Sequence, residues 1–223
     1  MAHTGRMTDS DLENGDIAET PVPISPIAGI VLAGGRSRRM GTDKASMQWP
    51  GGDAEPMLAR IVRTIAERCD RVYVVATEES SAYQLLHGTG GPEAVWVTDE
   101  EPGAGPLGGL AAGLAAAAAD GFGLGFVCAT DMPLIGPGLI DELARGATPS
   151  TQAVIAHDAR RDHPMAAIYR TLSAQVVADL VAGGERRMLA VTEALETRRV
   201  PVSDPEWLTN VNAPEDLHDL RVS

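Results

Sequence analysis

Basic residues, aromatics and cysteines are all scarce in this chain, and each shortage removes a class of function. Eighteen lysines and arginines face 31 aspartates and glutamates, for a formal charge of −13. A surface of that sign repels phosphate backbones and anionic lipid, so no nucleic-acid partner and no membrane partner is expected. Aromatics are only 4% of residues, which predicts a core of Ala, Val, Leu and Ile. Cys69 and Cys128 are the two cysteines and lack any Cys-x-x-Cys or Cys/His spacing, so they read as buried thiols. No run approaches the roughly 18 consecutive apolar residues of a membrane span. The acidic N-terminus also lacks the basic and apolar regions of a signal peptide, so a soluble cytoplasmic protein is expected.

What remains is a chain that is 44% hydrophobic and patterned along its length. Residues 1–26 hold Asp9, Asp11, Glu13, Asp16 and Glu19, then Pro21, Pro23 and Pro26, without apolar periodicity; a disordered leader is expected there. From Ile27 onward, one domain over residues 27–223 is expected. Apolar runs of strand length alternate with helical stretches, as in a parallel sheet covered on both faces. The pattern predicts strands at Ile27–Ala33, Arg71–Ala76, Ala94–Thr98, Leu124–Ala129, Gln152–His157, Pro164–Tyr169 and Arg198–Val202. Helices are predicted at Glu55–Arg68, Leu107–Ala119, Gly138–Arg145, Thr171–Ala182, Arg186–Leu195 and Pro214–Leu220. Together they predict a three-layer, Rossmann-like α/β fold with a doubly wound, mostly parallel sheet.

The densest chemistry lies in Ile30-Val31-Leu32-Ala33-Gly34-Gly35-Arg36-Ser37-Arg38-Arg39-Met40-Gly41-Thr42-Asp43-Lys44. A nucleoside triphosphate brings several negative charges and needs backbone N–H groups close to its oxygens. Gly34 and Gly35 carry no Cβ to block that approach and can adopt positive φ, while Arg36, Arg38, Arg39 and Lys44 supply charged donors. Thr42-Asp43 intervenes between Gly41 and Lys44, so the run is not a Walker A loop. A solvated basic turn would explain the charges but not paired glycines at a strand end.

The stretch Leu32-Ala33-Gly34-Gly35-x-Ser37-x-Arg39-Met40-Gly41-x-Asp43-Lys44 resembles the signature of nucleotidyltransferases, most closely the molybdenum cofactor guanylyltransferases. The resemblance implies the nucleotidyltransferase fold, with Leu32, Ala33, Gly34 and Gly35 holding GTP through the backbone and Lys44 contacting its phosphates. Related cytidylyltransferases usually read Leu-Ala-Ala-Gly, so Gly34 favours guanine.

Four later segments extend the resemblance. Asp131 follows an apolar strand, at the sheet end where open α/β folds bind ligands, and offers the oxygen that magnesium requires; a helix N-cap is the plain alternative. In the resembled family an Asp-x-Pro aspartate binds Mg2+, the one cofactor implied. Gly105-Pro106-Leu107-Gly108-Gly109 matches the family's Gly-Pro-Leu turn, and Asp99 takes the place of its nucleotide-contacting aspartate, with Glu100 and Glu101 close by. The bare Gly103-x-Gly105-x-x-Gly108 pattern trails its strand and lacks the acidic residue of a dinucleotide site. His163-Pro164 and Asn210-Val211-Asn212-Ala213-Pro214 match segments that the family places near the second substrate, so the resemblance makes His163, Asn210 and Asn212 candidate pterin contacts. Alone, His163 reads as structural and Asn212 as a helix cap. Arg186 and Arg187, at the start of an expected helix, are further candidates for the pterin phosphate. Where relatives often carry asparagine after the second strand, this chain has Ala76-Thr77-Glu78.

The implied reaction is attack by the molybdopterin phosphate on the α-phosphorus of GTP, expelling pyrophosphate, with Lys44, Arg39 and Asp131 as catalytic groups. The partners implied are GTP, molybdopterin, cofactor-biosynthesis proteins and apo-molybdoenzymes. The alternatives are a cytidylyltransferase, a nucleotidyltransferase with another phosphate acceptor, and a non-catalytic cofactor carrier.

Overall fold

Ile27–Leu32 (β1) is buried at every position, which a strand achieves only inside a sheet covered on both faces. Its side chains divide accordingly. Ile27 and Val31 join one core with Leu58, Ile61 and Leu139, while Ala28, Ile30 and Leu32 join another with Leu107, Leu110 and Leu114. This is the period-2 alternation of a strand read on a fully buried element. A computed structural model of the chain describes residues 26–34, 55–87, 93–98, 104–211 and 216. Residues 1–25 of the expected leader, together with Gly35, Arg36, Arg38, Arg39, Lys44, Asp99, Glu100, Glu101 and Asn212, lie outside the described residues. Of the helix expected over Pro214–Leu220 only Asp216 is described, and it is helical.

The other strands are Arg71–Val75 (β2), Val95–Val97 (β3), Leu124–Ala129 (β4), Ala153–His157 (β5), Asp162–Arg170 (β6) and Thr197–Pro201 (β7). They form one seven-stranded sheet in the order β3-β2-β1-β4-β6-β5-β7. The pairs β1–β2, β1–β4, β2–β3 and β5–β7 are parallel, whereas β6 runs antiparallel to both its neighbours. The chain therefore winds outward from β1 to β3, returns to β4, and builds the other half. The expected doubly wound α/β sheet is present, and its strand order reverses between β1 and β4.

Helices cover both faces. Met57–Ile65 (α1) and Pro137–Arg145 (α4) contribute to the first core, and Pro106–Ala119 (α3), Ala174–Ala182 (α5) and Leu189–Ala194 (α6) to the second. α3 is alanine- and glycine-rich because it lies very close to the sheet. A Cβ built on Gly113 would stand 2.5 Å from Ile30 Cγ2, and one on Gly109 3.4 Å from Leu32 Cδ2.

Several expectations need correction. Ser81–Leu86 (α2) is a helix the sequence pattern did not predict; Ser80 caps it by accepting the Tyr83 N–H at 3.2 Å. The helix expected from Thr171 is a 3-10 turn over Thr171–Ser173 that continues as α5. The helix expected from Arg186 starts at Leu189, because the Glu185 carboxylate accepts the N–H groups of Arg186 and Arg187 and holds both in a turn. The core is also less strictly aliphatic than composition implied: Tyr73, Tyr169 and Phe126 are among its largest fully buried side chains. Both tyrosines satisfy their hydroxyls, Tyr73 on Asp120 at 2.6 Å and Tyr169 on the Pro164 carbonyl at 2.7 Å.

Candidate active site

The strand order puts two chain segments side by side where β1 and β4 end. Leu32 closes β1 and is paired with Ala129, which closes β4. Ala33 is buried and fixed by its N–H to the Val75 carbonyl at 2.8 Å, so the loop after β1 leaves from a rigid base. Gly34 follows, exposed at the sheet edge. A Cβ there would come no nearer than 3.9 Å to Ala76 Cα or Val75 O, so the atoms of the described residues do not demand glycine. Nor does the backbone use glycine's freedom, since the positive-φ glycines among the described residues are Gly105, Gly121 and Gly184.

Asp131 stands on the facing segment, two residues past the end of β4 and half-buried. It is not a helix cap, because α4 begins only at Pro137 with Gly136 before it. Its carbonyl oxygen accepts the Val211 N–H at 2.7 Å, which draws the Asn210-Val211 segment onto this edge. The Asn210 Oδ1 is buried there without a hydrogen-bond partner among the described residues. That segment is seated by Trp207, whose indole crosses two glycines of the α4 entry. A Cβ on Gly136 would approach its Nε1 to 2.9 Å, and one on Gly138 its Cη2 to 2.8 Å.

The third contribution comes from β6. Because this strand is antiparallel to β4, its beginning and not its end lies at the ligand edge. Cys128 pairs with Ala166; Asp131 and His163 each lie three residues beyond that pair, toward the same edge. His163 is only 7% exposed, and its Nε2 is 2.8 Å from Asp158 Oδ2. The His163 contact, followed by the backbone N–H groups of Arg160 and Arg161, holds the Asp158 carboxyl well below the usual carboxylate range. His157 Nδ1 pairs with Asp162 Oδ1 at 2.7 Å, so the two His–Asp contacts cross the same hairpin.

Finally, Gly105 at φ 69° turns the chain into α3, whose N-terminus follows β3 and so opens at this same edge. The positive dipole end of a 14-residue helix favours an anion there. Leu32, Ala33, Gly34, Asp131, His163 and Asn210 thus share one edge of the sheet, at the reversal of strand order where open α/β folds take ligands.

The sequence profile of the MobA-like NTP transferase domain matches residues 29–199. The chain belongs to that family. It is 42% identical over 202 residues to the "Probable molybdenum cofactor guanylyltransferase" of Mycobacterium tuberculosis, covering 91% of this chain and 96% of the relative. In fold it is similar to molybdopterin-guanine dinucleotide biosynthesis protein A from Archaeoglobus fulgidus, with a TM-score of 0.69 at 24% identity over 86% of this chain and 95% of the other. It is likewise similar to a nucleotidyl transferase from Methanothermobacter thermautotroptrophicus, with a TM-score of 0.65 at 20% identity, covering 89% and 99% of the two chains.

Within this MobA-like transferase, Arg186 and Arg187, the further candidates for the pterin phosphate, both have partners in their own turn. Arg187 pairs with Glu185 at 2.8 Å, and Arg186 donates to the carbonyls of Val181 and Glu185 at 2.9 and 2.6 Å. Sequence reasoning missed Asp158 and Trp207. The signal for Asp158 was legible in His157-Asp158 followed at five residues by Asp162-His163, a spacing that lets each pair meet across a hairpin. Trp207 had none, because nothing local marks Gly136 and Gly138 as its seat.

Proposed function

We propose that this MobA-like transferase moves GMP from GTP to the terminal phosphate of molybdopterin, releasing pyrophosphate and forming the guanine dinucleotide cofactor. The name carried by the 42%-identical mycobacterial relative supports the choice of substrates. The observation that carries the reading is the convergence of Gly34, after β1, and Asp131, after β4, on one edge. Backbone approach to a triphosphate needs the first, and charge neutralisation at the phosphates needs the second.

Mg2+ fits the donors available. The Asp131 carboxylate and the unpartnered Asn210 amide oxygen are both hard oxygen ligands. Among the described residues no three potential His, Cys, Asp or Glu ligands cluster, and magnesium characteristically uses one or two carboxylates with the rest from phosphates and water. Bound here, it would neutralise charge on the phosphates of GTP. The chain's own task is positional. Leu32 to Gly35 would hold the nucleotide, Lys44 and Arg39 would meet its phosphates, Asp99 would contact the nucleoside, and His163, Asn210 and Asn212 would orient the pterin for in-line attack. The acceptor phosphate is ionised near neutral pH, so neither a protein nucleophile nor a general base is required. The reaction suits a cytoplasmic enzyme, and no described helix is long and apolar enough to cross a membrane.

The test is pyrophosphate release with Mg2+ and either GTP or CTP, with and without anaerobically prepared molybdenum cofactor. Release that needs both GTP and the cofactor is expected. Preference for CTP would overturn the assignment of the base, and silence with every nucleotide would overturn the transfer itself.

A further inference from the structure

Two segments that touch at both ends frame the Asp131 position. One runs from Asp131 to the start of α4, and the other follows β7 as far as Val211. At one end the Val211 N–H meets the Asp131 carbonyl at 2.7 Å. At the other the Trp207 indole lies along the entry to α4. Its five-membered ring faces Gly136, where a Cβ would stand 2.9 Å from Nε1 and 3.4 Å from Cδ1. Its six-membered ring faces Gly138, where a Cβ would stand 2.8 Å from Cη2 and 2.9 Å from Cζ2.

Backbone conformation does not account for either glycine, because neither has positive φ. Gly138 is moreover the second residue of α4, where alanine is the better helix former by up to about 1 kcal/mol. The chain gives up that gain at the one place where the indole needs a bare backbone. The same segment is pinned on either side of the ring. Glu142, on α4, accepts the Ser203 N–H at 3.0 Å and also the Ser203 hydroxyl, and Leu208 and Val211 are buried. Trp207 itself sits on the 3-10 turn Pro205–Leu208, a form too short to hold a course by its own hydrogen bonds. Where the indole rests therefore decides where Asn210, three residues on, meets the Asp131 segment.

We propose that Trp207 is a positioning residue for the divalent cation: flush on Gly136 and Gly138, it sets the placement of Asn210 against Asp131 and so the strength with which metal draws GTP to this edge. The assignment rests on the magnesium reading of Asp131 and Asn210 given above. Trp207 touches neither metal nor nucleotide in this account and acts only through the segment it seats, as supporting residues around a metal site do.

The experiment uses the full-length chain and needs no turnover. The Kd for GTP is measured by titration calorimetry without acceptor, once with saturating Mg2+ and once with chelator, and the ratio of the two values reports how far metal tightens the nucleotide. Trp207→Ala should reduce that ratio by about tenfold while the Kd in chelator stays at the wild-type value. Gly138→Ala should do the same with the indole retained, since its Cβ displaces the ring; alanine suits the helix, so this variant also covers the case in which Trp207→Ala fails to fold. The Trp207→Ala/Gly138→Ala double variant should be no worse than either single change, the non-additivity expected of two residues acting through one contact. Trp207→Phe, which keeps a ring on the glycines, should restore most of the ratio. A wild-type ratio in folded Trp207→Ala or Gly138→Ala, even with a lowered melting temperature, would reduce the indole to a packing element and overturn the proposal while leaving Asp131 its metal. Equal weakening with and without Mg2+ would overturn it too, since the segment would then act on the nucleotide directly. If Mg2+ does not tighten GTP in the wild type, the magnesium reading and this inference fall together. A ratio that depends on Trp207 in a protein that releases no pyrophosphate would keep the inference and remove the transfer.

Discussion

The backbone N–H of Val211 donates to the carbonyl oxygen of Asp131 at 2.7 Å. One hydrogen bond thereby joins the segment leaving β7 to the end of β4, bringing Asn210 beside the strand that carries the candidate metal-binding carboxylate. Side chains far apart in sequence are thereby brought to one edge of the sheet.

If the phosphates of GTP are met by Lys44 and by Mg2+ held on Asp131, removing either group should chiefly harm the transition state. Lys44→Ala and Asp131→Ala are each expected to lower kcat/KM by about 100-fold or more, at least roughly 2.7 kcal/mol. Wild-type rates in either folded variant would refute that role.

Gly113 tests how tightly α3 is seated. Alanine is the better helix former by up to about 1 kcal/mol, yet its Cβ would stand 2.5 Å from Ile30 Cγ2 and 3.1 Å from Val75 Cγ2. Ile30 is fully buried and has no room to yield. Overpacking of this kind costs about 1–3 kcal/mol, so Gly113→Ala should destabilise the protein in urea titration by about 1 kcal/mol or more. A stabilised variant would show that the helix lies further from the sheet than described.

The Asp158 carboxyl is held below its usual range by His163 first and by the loop N–H groups second. A depressed folded-state value stabilises the fold above the unfolded pKa, near 3.9, and that stability is lost as pH falls toward the folded value. Stability should therefore decline with acidification below about pH 4, and the decline should be shallower in Asp158→Ala. Parallel urea midpoints for wild type and variant across that window would contradict the linkage.

Both thiols should be inert while the protein is folded. Burial, and secondarily the charge of Asp70, pushes the Cys69 thiol up to about 12, and burial likewise raises Cys128. Ellman's reagent at pH 8 should label neither until denaturant is added; rapid labelling of native protein would contradict their enclosure.

Much of the fold was legible because a central strand buried on both faces reads as an unbroken apolar run. β4 was expected over Leu124–Ala129 and spans those residues. The short α2 was not legible: six residues held by the Ser80 cap give too little periodicity to stand out. Arg186 and Arg187 were expected inside a helix because their neighbours have helical spacing, but the Glu185 carboxylate captured their N–H groups first. At the site, Gly34 and Asp131 were visible as types of residue at strand ends. The meeting of Asp131 with Val211 was not, because it depends on how the chain returns after β7, guided by an indole resting on Gly136 and Gly138. His163 was visible as a lone imidazole and, through the resemblance, as a candidate pterin contact, while its partner Asp158 was carried by a five-residue spacing that went unread.

The reversal of β6 has an evolutionary consequence. At the β1–β3 half of the rim, each connection after a parallel strand feeds a crossover, and changing its length alters how a helix returns across the sheet. The β5–β6 turn merely reverses direction, and entropy penalises added residues there only weakly. Descendants of this architecture can therefore lengthen, shorten or exchange that turn as a module, leaving the ends of β1 and β4 unchanged.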